Sequence, residues 1–556
     1  MTENHSANGG RLLVDCLIAQ GCDRIFTVPG ESFLAVLDAL HDSPEVQTVI
    51  CRQEGGVAYM ACADGAMTGK PGVAFVTRGP GATNASIGVH AAMQDSQPMI
   101  LFIGDVDRGM RDREGFQEVD FQAMFAPLCK WATRIDDARR IPEYIARAWA
   151  TAIAGRPGPV VLALPEDMLL DDIAGLSPRP AVHRPAQVPC PDAMHALMDL
   201  LADAASPVAI VGGAGWHAKA REHFTEFAER VGLPVAGAFR RQDAIPNSSK
   251  VWAGNLGYGP NPRLVERIRY SDLVLVVGAR LGEATTDSYT LVTPEHPGQT
   301  VIHIHPDPEE LGRVYRTHLA ICADMAEFAE AAALWDDDIV PFDAGVEAHL
   351  EWLEWSTPRP GPYALDMASC LAVTRALLPD DSIVCNGAGN FSGWWHRYWH
   401  YNGFPSQLAP TNGSMGYGVP AAVAAALRHP ERTVVALAGD GDFLMNGQEL
   451  ATAMQYGCDL IVILVDNGTY GTIRMHQERE FPERVSGTTL ANPDFALLAR
   501  AYGGWAQRVE TTAQFETALA EAKSRKGLRL LHLLIEPEQL SAGGATISGL
   551  RAKARG

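Results

Sequence analysis

Short runs of branched apolar residues, each ending on glycine, proline or a polar residue, recur along the whole chain and restrict its fold more than any other feature. In the first third they are residues 72–77 (GVAFVT), 99–103 (MILFI) and 159–164 (PVVLAL). The middle has 207–211 (PVAIV), 273–277 (LVLVV) and 301–304 (VIHI), and the last third has 433–438 (TVVALA) and 460–465 (LIVILV). Both faces of such runs are apolar, so both must be covered, and the longer amphipathic stretches between them supply the cover. That is the pattern of parallel strands lying between helices. The expected fold class is α/β, with three doubly wound parallel-sheet domains and ligand loops at the carboxyl ends of the strands.

Proline marks where the thirds divide. Residues 176–192 carry Pro178, Pro180, Pro185, Pro189 and Pro191, and residues 355–363 read WSTPRPGPY, beyond the acidic Asp336-Asp337-Asp338. Proline at that density suits an extended connector and not a helix interior or a central strand. The expected domains are therefore 1–175, 193–335 and 364–540, with 541–556 as a small, basic C-terminal tail. A chain of 556 residues exceeds one ordinary core, in keeping with this division.

Charge and cysteine usage narrow the function classes. With 45 basic and 66 acidic residues the net charge is −21, which argues against a nucleic-acid or anionic-membrane surface. The ten cysteines form no C-x-x-C pair, so reduced, buried thiols are expected. The polar start MTENHSANGG lacks a basic segment followed by an apolar one, and no apolar run is long enough to span a bilayer. A cytoplasmic location is expected.

The strand at 433–438 runs into Gly439-Asp440-Gly441-Asp442. Twenty-four residues, enough for a helix and a return strand, then separate Gly441 from Asp466-Asn467-Gly468-Thr469-Tyr470-Gly471. Two strand ends of one βαβ unit thus present a carboxylate (Asp440), an amide oxygen (Asn467) and a backbone carbonyl near Thr469. Such a set can close on a hard cation that also takes phosphate oxygens. The glycines allow backbone N–H groups to approach phosphate. A lone G-D-G is usually an ordinary turn; its pairing with Asn467 at this separation is far more specific.

The pattern resembles the signature of thiamine-diphosphate-dependent enzymes, and the chain resembles their acetolactate synthase (acetohydroxyacid synthase) branch over nearly its whole length. The landmarks come in family order: Val28-Pro29-Gly30, Arg52-Gln53-Glu54-Gly55, Gly79-Pro80-Gly81-Ala82-Thr83-Asn84, Phe116-Gln117-Glu118-Val119-Asp120, Gly155-Arg156-Pro157-Gly158-Pro159 and Gly413-Ser414-Met415-Gly416-Tyr417-Gly418. The resemblance implies pyrimidine-binding, central and diphosphate-binding domains. It also implies thiamine diphosphate and Mg2+ as cofactors, with Asp440, Asn467 and Thr469 on the metal and Gly441, Asp442, Tyr470 and Gly471 around the diphosphate. Gly389 and Asn390 would lie over the diphosphate, and Gly30, Pro80 and Asn84 would line the pyrimidine. Glu54 occupies the position of the glutamate that hydrogen-bonds pyrimidine N1′, a role that desolvation favours. Met415 matches the apolar wedge that bends the cofactor, and the Gly413 carbonyl would receive the 4′-amine proton. The family assembles with the active site at a subunit interface, so a homodimer, commonly doubled to a tetramer, is implied.

On the substrate side Phe116, Gln117 and Arg280 match the synthases, but other positions depart. Asp466 replaces the first asparagine of the metal-site pair. Glu31 stands where the synthases have glycine, and decarboxylase-like relatives place a proton-handling acid there. His476 aligns with a tryptophan that contacts the second keto acid, and Glu166 with a lysine. Glu31, Glu54, Gln117 and His476 are the catalytic candidates, and Phe116, Gln117, Arg280 and His476 the substrate candidates. Arg474 and His476 could each present positive charge to a carboxylate or phosphate, or be ordinary helix-surface residues.

The expected function is a carboligase that decarboxylates one 2-keto acid and adds the hydroxyalkyl carbanion to a second carbonyl, a keto acid or an aldehyde. The alternatives are a non-oxidative 2-keto-acid decarboxylase or C–C lyase, and a flavin-dependent oxidase of the pyruvate-oxidase kind. The turn Val211-Gly212-Gly213-Ala214-Gly215 follows a strand and suits the pyrophosphate of FAD, an ADP-like ligand, or no ligand at all.

Overall fold

Each of the three apolar sets forms a six-stranded parallel sheet in the computed structural model, which describes residues 8–335 and 339–555. Residues 1–7 of the polar N-terminus and the acidic run at 336–338 lie outside the described residues. The first sheet contains β1 (Arg24–Thr27), β2 (Gln47–Ile50), β3 (Gly72–Val76), β4 (Met99–Asp105), β5 (Trp131–Arg134) and β6 (Pro159–Pro165), in the order β2-β1-β3-β4-β6-β5. The second contains β7 (Pro207–Val211), β8 (Val235–Gly237), β9 (Trp252–Asn255), β10 (Leu273–Val277), β11 (Thr300–His305) and β12 (Leu319–Cys322), in the order β12-β11-β10-β7-β8-β9. The third contains β13 (Ile383–Asn386), β14 (Gln407–Leu408), β15 (Val434–Gly439), β16 (Leu460–Asp466), β17 (Trp505–Val509) and β18 (Leu528–Leu534), in the order β14-β13-β15-β16-β18-β17.

The fold is α/β, as the two-faced apolar runs require. Every residue of β3, β4, β6, β15 and β16 is buried, because helices cover both faces of each sheet. Counted from its own first strand, the third sheet repeats the order of the first. In both, the order reverses between the first and third strands, at β1/β3 and at β13/β15. Ligands of open parallel sheets lie at such switch points, beyond the carboxyl ends of the strands. The middle sheet has a different order, that of dinucleotide-binding sheets, with its switch point at β7/β10.

Packing groups the chain into two compact units. One runs from the start of the described chain to Pro185 and takes in Val423–Arg428 and Asn446–Tyr456. The other comprises Ala186–Ala422, His429–Met445 and the chain from Gly457 onward. The ten cysteines are free thiols, most of them buried. Among the described residues no helix is long and apolar enough to cross a membrane.

Candidate active site

In the second unit the switch point of the third sheet is built from three strand ends. β13 delivers Gly387-Ala388-Gly389-Asn390 and β15 delivers Asp440-Gly441-Asp442. β16, paired with β15 so that Gly439 faces Val465, delivers Asp466 and Asn467. They enclose a cavity of about 230 Å³ whose walls include Gly389, Met415, Asp440, Gly441, Asn467 and Tyr470. Asn390, Gly413, Asp442, Thr469 and Gly471 line it too, so the candidates read from sequence for the diphosphate and metal meet at one place. The glycines are demanded by space. A Cβ on Gly441 would lie 2.5 Å from Cε1 of Tyr470, and one on Gly387 1.9 Å from Oδ1 of Asp442.

The oxygen donors are held by a buried polar network. Asp440 Oδ1 accepts the N–H of Gly441 at 2.9 Å, and its Oδ2 accepts Nδ2 of Asn492 at 2.7 Å. The same Asn492 amide donates to Oδ1 of Asp466 at 2.8 Å, and Nε2 of the buried His532 lies 2.9 Å from Asp466 Oδ2. Burial raises the Asp440 carboxyl above its ordinary value. Burial acts in the same direction on Asp466, but the hydrogen bonds from His532, Asn492 and the Gly468 N–H outweigh it and hold that carboxyl low. Asp466, an acid where the related pattern has an amide, is therefore compensated from β18 by His532 and leaves Asp440 as the carboxylate facing the cavity. Asn467 Oδ1 accepts the Thr469 N–H at 3.2 Å, which shapes the turn that follows β16. Among the described residues no three His, Cys, Asp or Glu side chains gather as a metal cluster. Mg2+ does not ask for one, since one or two carboxylates with phosphate and water complete its shell.

Asp442 is turned to the protein itself. Its Oδ1 accepts the N–H groups of Gly416, at 2.8 Å, and Ala388, at 3.3 Å, which ties the Met415 loop to the loop after β13. Burial pushes this carboxyl up to about 7. Asn390 is fixed by Thr472, whose hydroxyl accepts from its N–H and donates to its Oδ1.

Sequence comparison agrees with this geometry. Family models match three stretches: "Thiamine pyrophosphate enzyme, N-terminal TPP binding domain" over residues 7–124, the central domain of the same enzymes over 194–332, and their C-terminal TPP binding domain over 387–533. The chain belongs to the thiamine pyrophosphate enzyme family. Its relatives include the acetolactate synthase isozyme 2 large subunit of Escherichia coli (strain K12), 31% identical over 534 residues, which cover 95% of this chain and 96% of that one. The acetolactate synthase large subunit of Parasynechococcus marenigrum (strain WH8102) is 32% identical over 518 residues, covering 89% and 82%. The probable acetolactate synthase large subunit of Methanocaldococcus jannaschii is 30% identical over 550 residues, covering 96% and 92%.

In this thiamine pyrophosphate enzyme the first unit gathers Gly30, Glu31, Glu54, Pro80, Asn84, Phe116 and Gln117 on the loops beyond its strands. Gly30, past β1, approaches the loop past β3 so closely that a Cβ on it would lie 2.6 Å from Cβ of Thr77; Ser32 and Thr77 share a hydroxyl hydrogen bond of 3.1 Å. Pro80 opens the helix Gly79–Asp95, and Asn84, one turn further, donates to Oε2 of Glu54 at 2.9 Å. Glu54 is the first residue of the helix Glu54–Thr68, half-buried, with Oε1 beside Gly81. Gln117 adopts a φ of 64°, and its carbonyl accepts the Gly79 N–H at 3.0 Å, anchoring the loop on which Phe116 is 71% exposed. The departures Glu31 and Glu166 are not independent, since both face Arg78: Glu166 pairs with it closely, and Glu31 Oε1 lies 3.9 Å from its Nη1.

Two substrate candidates belong to the second unit. Arg280 follows β10 at the switch point of the middle sheet, where a Cβ on Gly213 would lie 1.9 Å from the Gly278 carbonyl. His476 is exposed on the helix Gly471–Glu480. Arg474 of that helix is committed to the buried Glu478, with Nε at 2.8 Å, and Arg551 of the C-terminal helix Ile547–Arg555 grips the same carboxylate with two nitrogens at 2.8 Å. The tail is thus docked on the helix that carries His476. Led by Arg551, these bonds hold Glu478 down to about 2, against an ordinary 4.5. A depressed carboxyl contributes stability above the unfolded value and loses it as pH falls through the folded one. The tail contact is therefore expected to hold at pH 4.5 and above and to loosen as pH falls toward 2. Hydrogen exchange over 547–555, corrected for intrinsic rate, checks this, and Glu478→Gln should show the loosened helix already at neutral pH.

Sequence reasoning missed Asn492, His532, Arg78 and Glu449. Asn492 lies in an Asn-Pro turn, a signal for backbone geometry alone. The other three carry no motif.

Proposed function

We propose that this protein is a thiamine-diphosphate- and Mg2+-dependent carboligase of 2-keto acids, acetolactate synthase-like, which joins the decarboxylated remainder of one keto acid to a second carbonyl. What supports the reading above all is the arrangement of Asp440 and Asn467 at adjacent parallel strand ends around a glycine-walled cavity. Asp440, the Asn467 amide oxygen and the Thr469 carbonyl hold Mg2+, while Gly389, Asn390, Gly441, Tyr470 and Gly471 surround the diphosphate. When bound, thiamine diphosphate supplies a thiazolium that accepts the electron pair left by departing CO2. Glu54, its carboxylate fixed by Asn84, would share a proton with pyrimidine N1′, Gly30 and Pro80 would border the ring, and Met415 and the Gly413 carbonyl would help hold the cofactor. Phe116, Gln117, Arg280 and His476 orient the keto acids, and Glu31 moves a proton at the reacting carbonyl. Two subunits of a homodimer complete each site, and the dimer is doubled to a tetramer. Neither half of the reaction is a net oxidation, so any flavin held at the Gly212-Gly213 turn would have no redox step to perform.

The exposed carboxylate of Glu31 beside Arg78 favours a second reading, a non-oxidative decarboxylase that protonates its product in place of coupling it. One assay separates the two. The protein is incubated with thiamine diphosphate, Mg2+ and a panel of 2-keto acids, with and without aldehydes, and the carbon products are identified by NMR. Coupled hydroxy-ketone or hydroxy-keto-acid products are expected. Aldehyde and CO2 alone would transfer the assignment to the decarboxylase, and no turnover would overturn both. A flavin absorbance band that bleaches when a 2-keto acid is added without oxygen would favour an oxidase.

A further inference from the structure

The segment Asn446–Tyr456, although it follows the G-D-G strand in sequence, packs within the first unit and places a carboxylate under the turn that carries Glu54. Glu449 is fully buried. Its Oε1 accepts the backbone N–H groups of both Arg52 and Gln53 at 3.0 Å. Its Oε2 lies 3.3 Å from the Arg52 nitrogen and accepts the Thr452 hydroxyl at 2.5 Å. Gln53 is the N-cap of the helix whose first residue is Glu54, and its side chain accepts the Gly56 N–H at 3.1 Å. Glu449 therefore sits at the positive end of that helix, where an anion is favoured and N–H groups otherwise lack partners. The approach leaves no room for a side chain at the next turn, since a Cβ on Gly56 would lie 2.6 Å from Oε1 of Glu449. The same segment closes the free edge of β2. The Tyr456 hydroxyl accepts the Ile50 N–H at 2.7 Å and donates to the Thr48 carbonyl at 2.9 Å.

We propose that Glu449 is a positioning residue for Glu54, fixing the backbone at residues 52–53 so that the Glu54 carboxylate meets Asn84 and the cofactor ring in one orientation. Two constraints then act on Glu54 from opposite directions, Glu449 on its backbone and Asn84 on its side chain. The inference rests on the reading that Glu54 acts on the cofactor, and it adds that this action is set from a segment about 400 residues away in sequence, the separation of Arg52 and Glu449 being 397.

Positioning and charge make different demands on position 449. In Glu449→Gln the amide oxygen can still accept both backbone N–H groups, and the new NH2 group can donate to the Thr452 hydroxyl. Glu449→Ala removes both functions, and Glu449→Asp withdraws the carboxylate by one methylene while keeping its charge. The test is steady-state decarboxylation of a 2-keto acid that the wild type turns over, at saturating thiamine diphosphate and Mg2+. Glu449→Ala and Glu449→Asp are expected to lower kcat by about tenfold or more, with KM and cofactor affinity changed by less than about threefold. Glu449→Gln should restore kcat to within about threefold of wild type, with an unchanged pH profile. The double variant Glu54→Gln/Glu449→Ala should fall no further than Glu54→Gln alone, because a residue that acts through Glu54 has nothing left to position. Should Glu449→Ala fail to fold, Glu449→Asp carries the same comparison. A wild-type kcat in Glu449→Asp, a loss in Glu449→Gln as large as in Glu449→Asp, or additive losses in the double variant would overturn the proposal. Near-normal turnover in Glu54→Gln itself would instead overturn the functional reading beneath it.

Discussion

Replacing Glu54 with Gln is expected to lower turnover by about 10²- to 10⁴-fold, the range for loss of one proton-transferring group, while leaving fold and assembly intact. The geometry favours a selective effect. Glu54 begins a helix whose remaining residues through Gly65 are buried, and its own side chain projects from the turn toward Asn84, with Oε2 at 2.9 Å from Nδ2. Glutamine matches its size and can still present an oxygen to Asn84, so neither packing nor the helix start is disturbed. It cannot share a proton with pyrimidine N1′, the one function that the proposed chemistry asks of this position. The loss should therefore fall on kcat, with little change in KM or in thermal stability. Deuterium exchange at C2 of enzyme-bound thiamine diphosphate, followed by NMR after acid quench, isolates the affected step from substrate binding and product release. Exchange and turnover near wild-type levels would remove Glu54 from the mechanism.

How far these sites were legible in the sequence depends on whether the physics is local. Buried parallel strands announce themselves, because β4, β10 and β16 are apolar on both faces and end on glycine or a polar residue. Edge strands do not: β5 and β12 span four residues each and are only partly buried, too short for a burial pattern to stand out. The G-D-G strand end was readable for the same reason as the strands, since its glycines serve a backbone geometry fixed within a few residues. Asp466 was readable only as a mismatch. Its explanation is His532, 66 residues away on β18, together with Asn492, and a single polar residue on a neighbouring strand has no spacing to betray it. Glu449 is the extreme case. A glutamate in a helical stretch reads as solvated, and only the packing of Asn446–Tyr456 within the first unit turns it into a buried helix cap.

Asp440→Ala is expected to erase most of the cofactor-dependent stabilisation. A ligand present at ~100 times its Kd stabilises the fold by about 2.7 kcal/mol, which raises the melting temperature of the wild type when thiamine diphosphate and Mg2+ are added together. Of the three oxygen donors proposed for the metal, Asp440 alone is a carboxylate, because Asn467 offers an amide and Thr469 a carbonyl; the cavity's other carboxylate, Asp442, is held by the Gly416 and Ala388 N–H groups. Asp466 cannot replace it: its oxygens are engaged by His532, Asn492 and the Gly468 N–H, and those bonds hold its charge in place. Removing Asp440 should weaken Mg2+-dependent cofactor binding by about 100-fold, which erases most of the stabilisation at the same ligand concentration. The unliganded variant is expected to be no less stable than the unliganded wild type. Burial already disfavours the Asp440 carboxylate, and its loss takes one of two acids away from a shared Asn492. Thermal melts with and without cofactor, and with Mg2+ withdrawn by a chelator, decide the matter. The chelated wild type should behave like the variant, whereas a wild-type cofactor shift in Asp440→Ala would mean that the metal is held elsewhere.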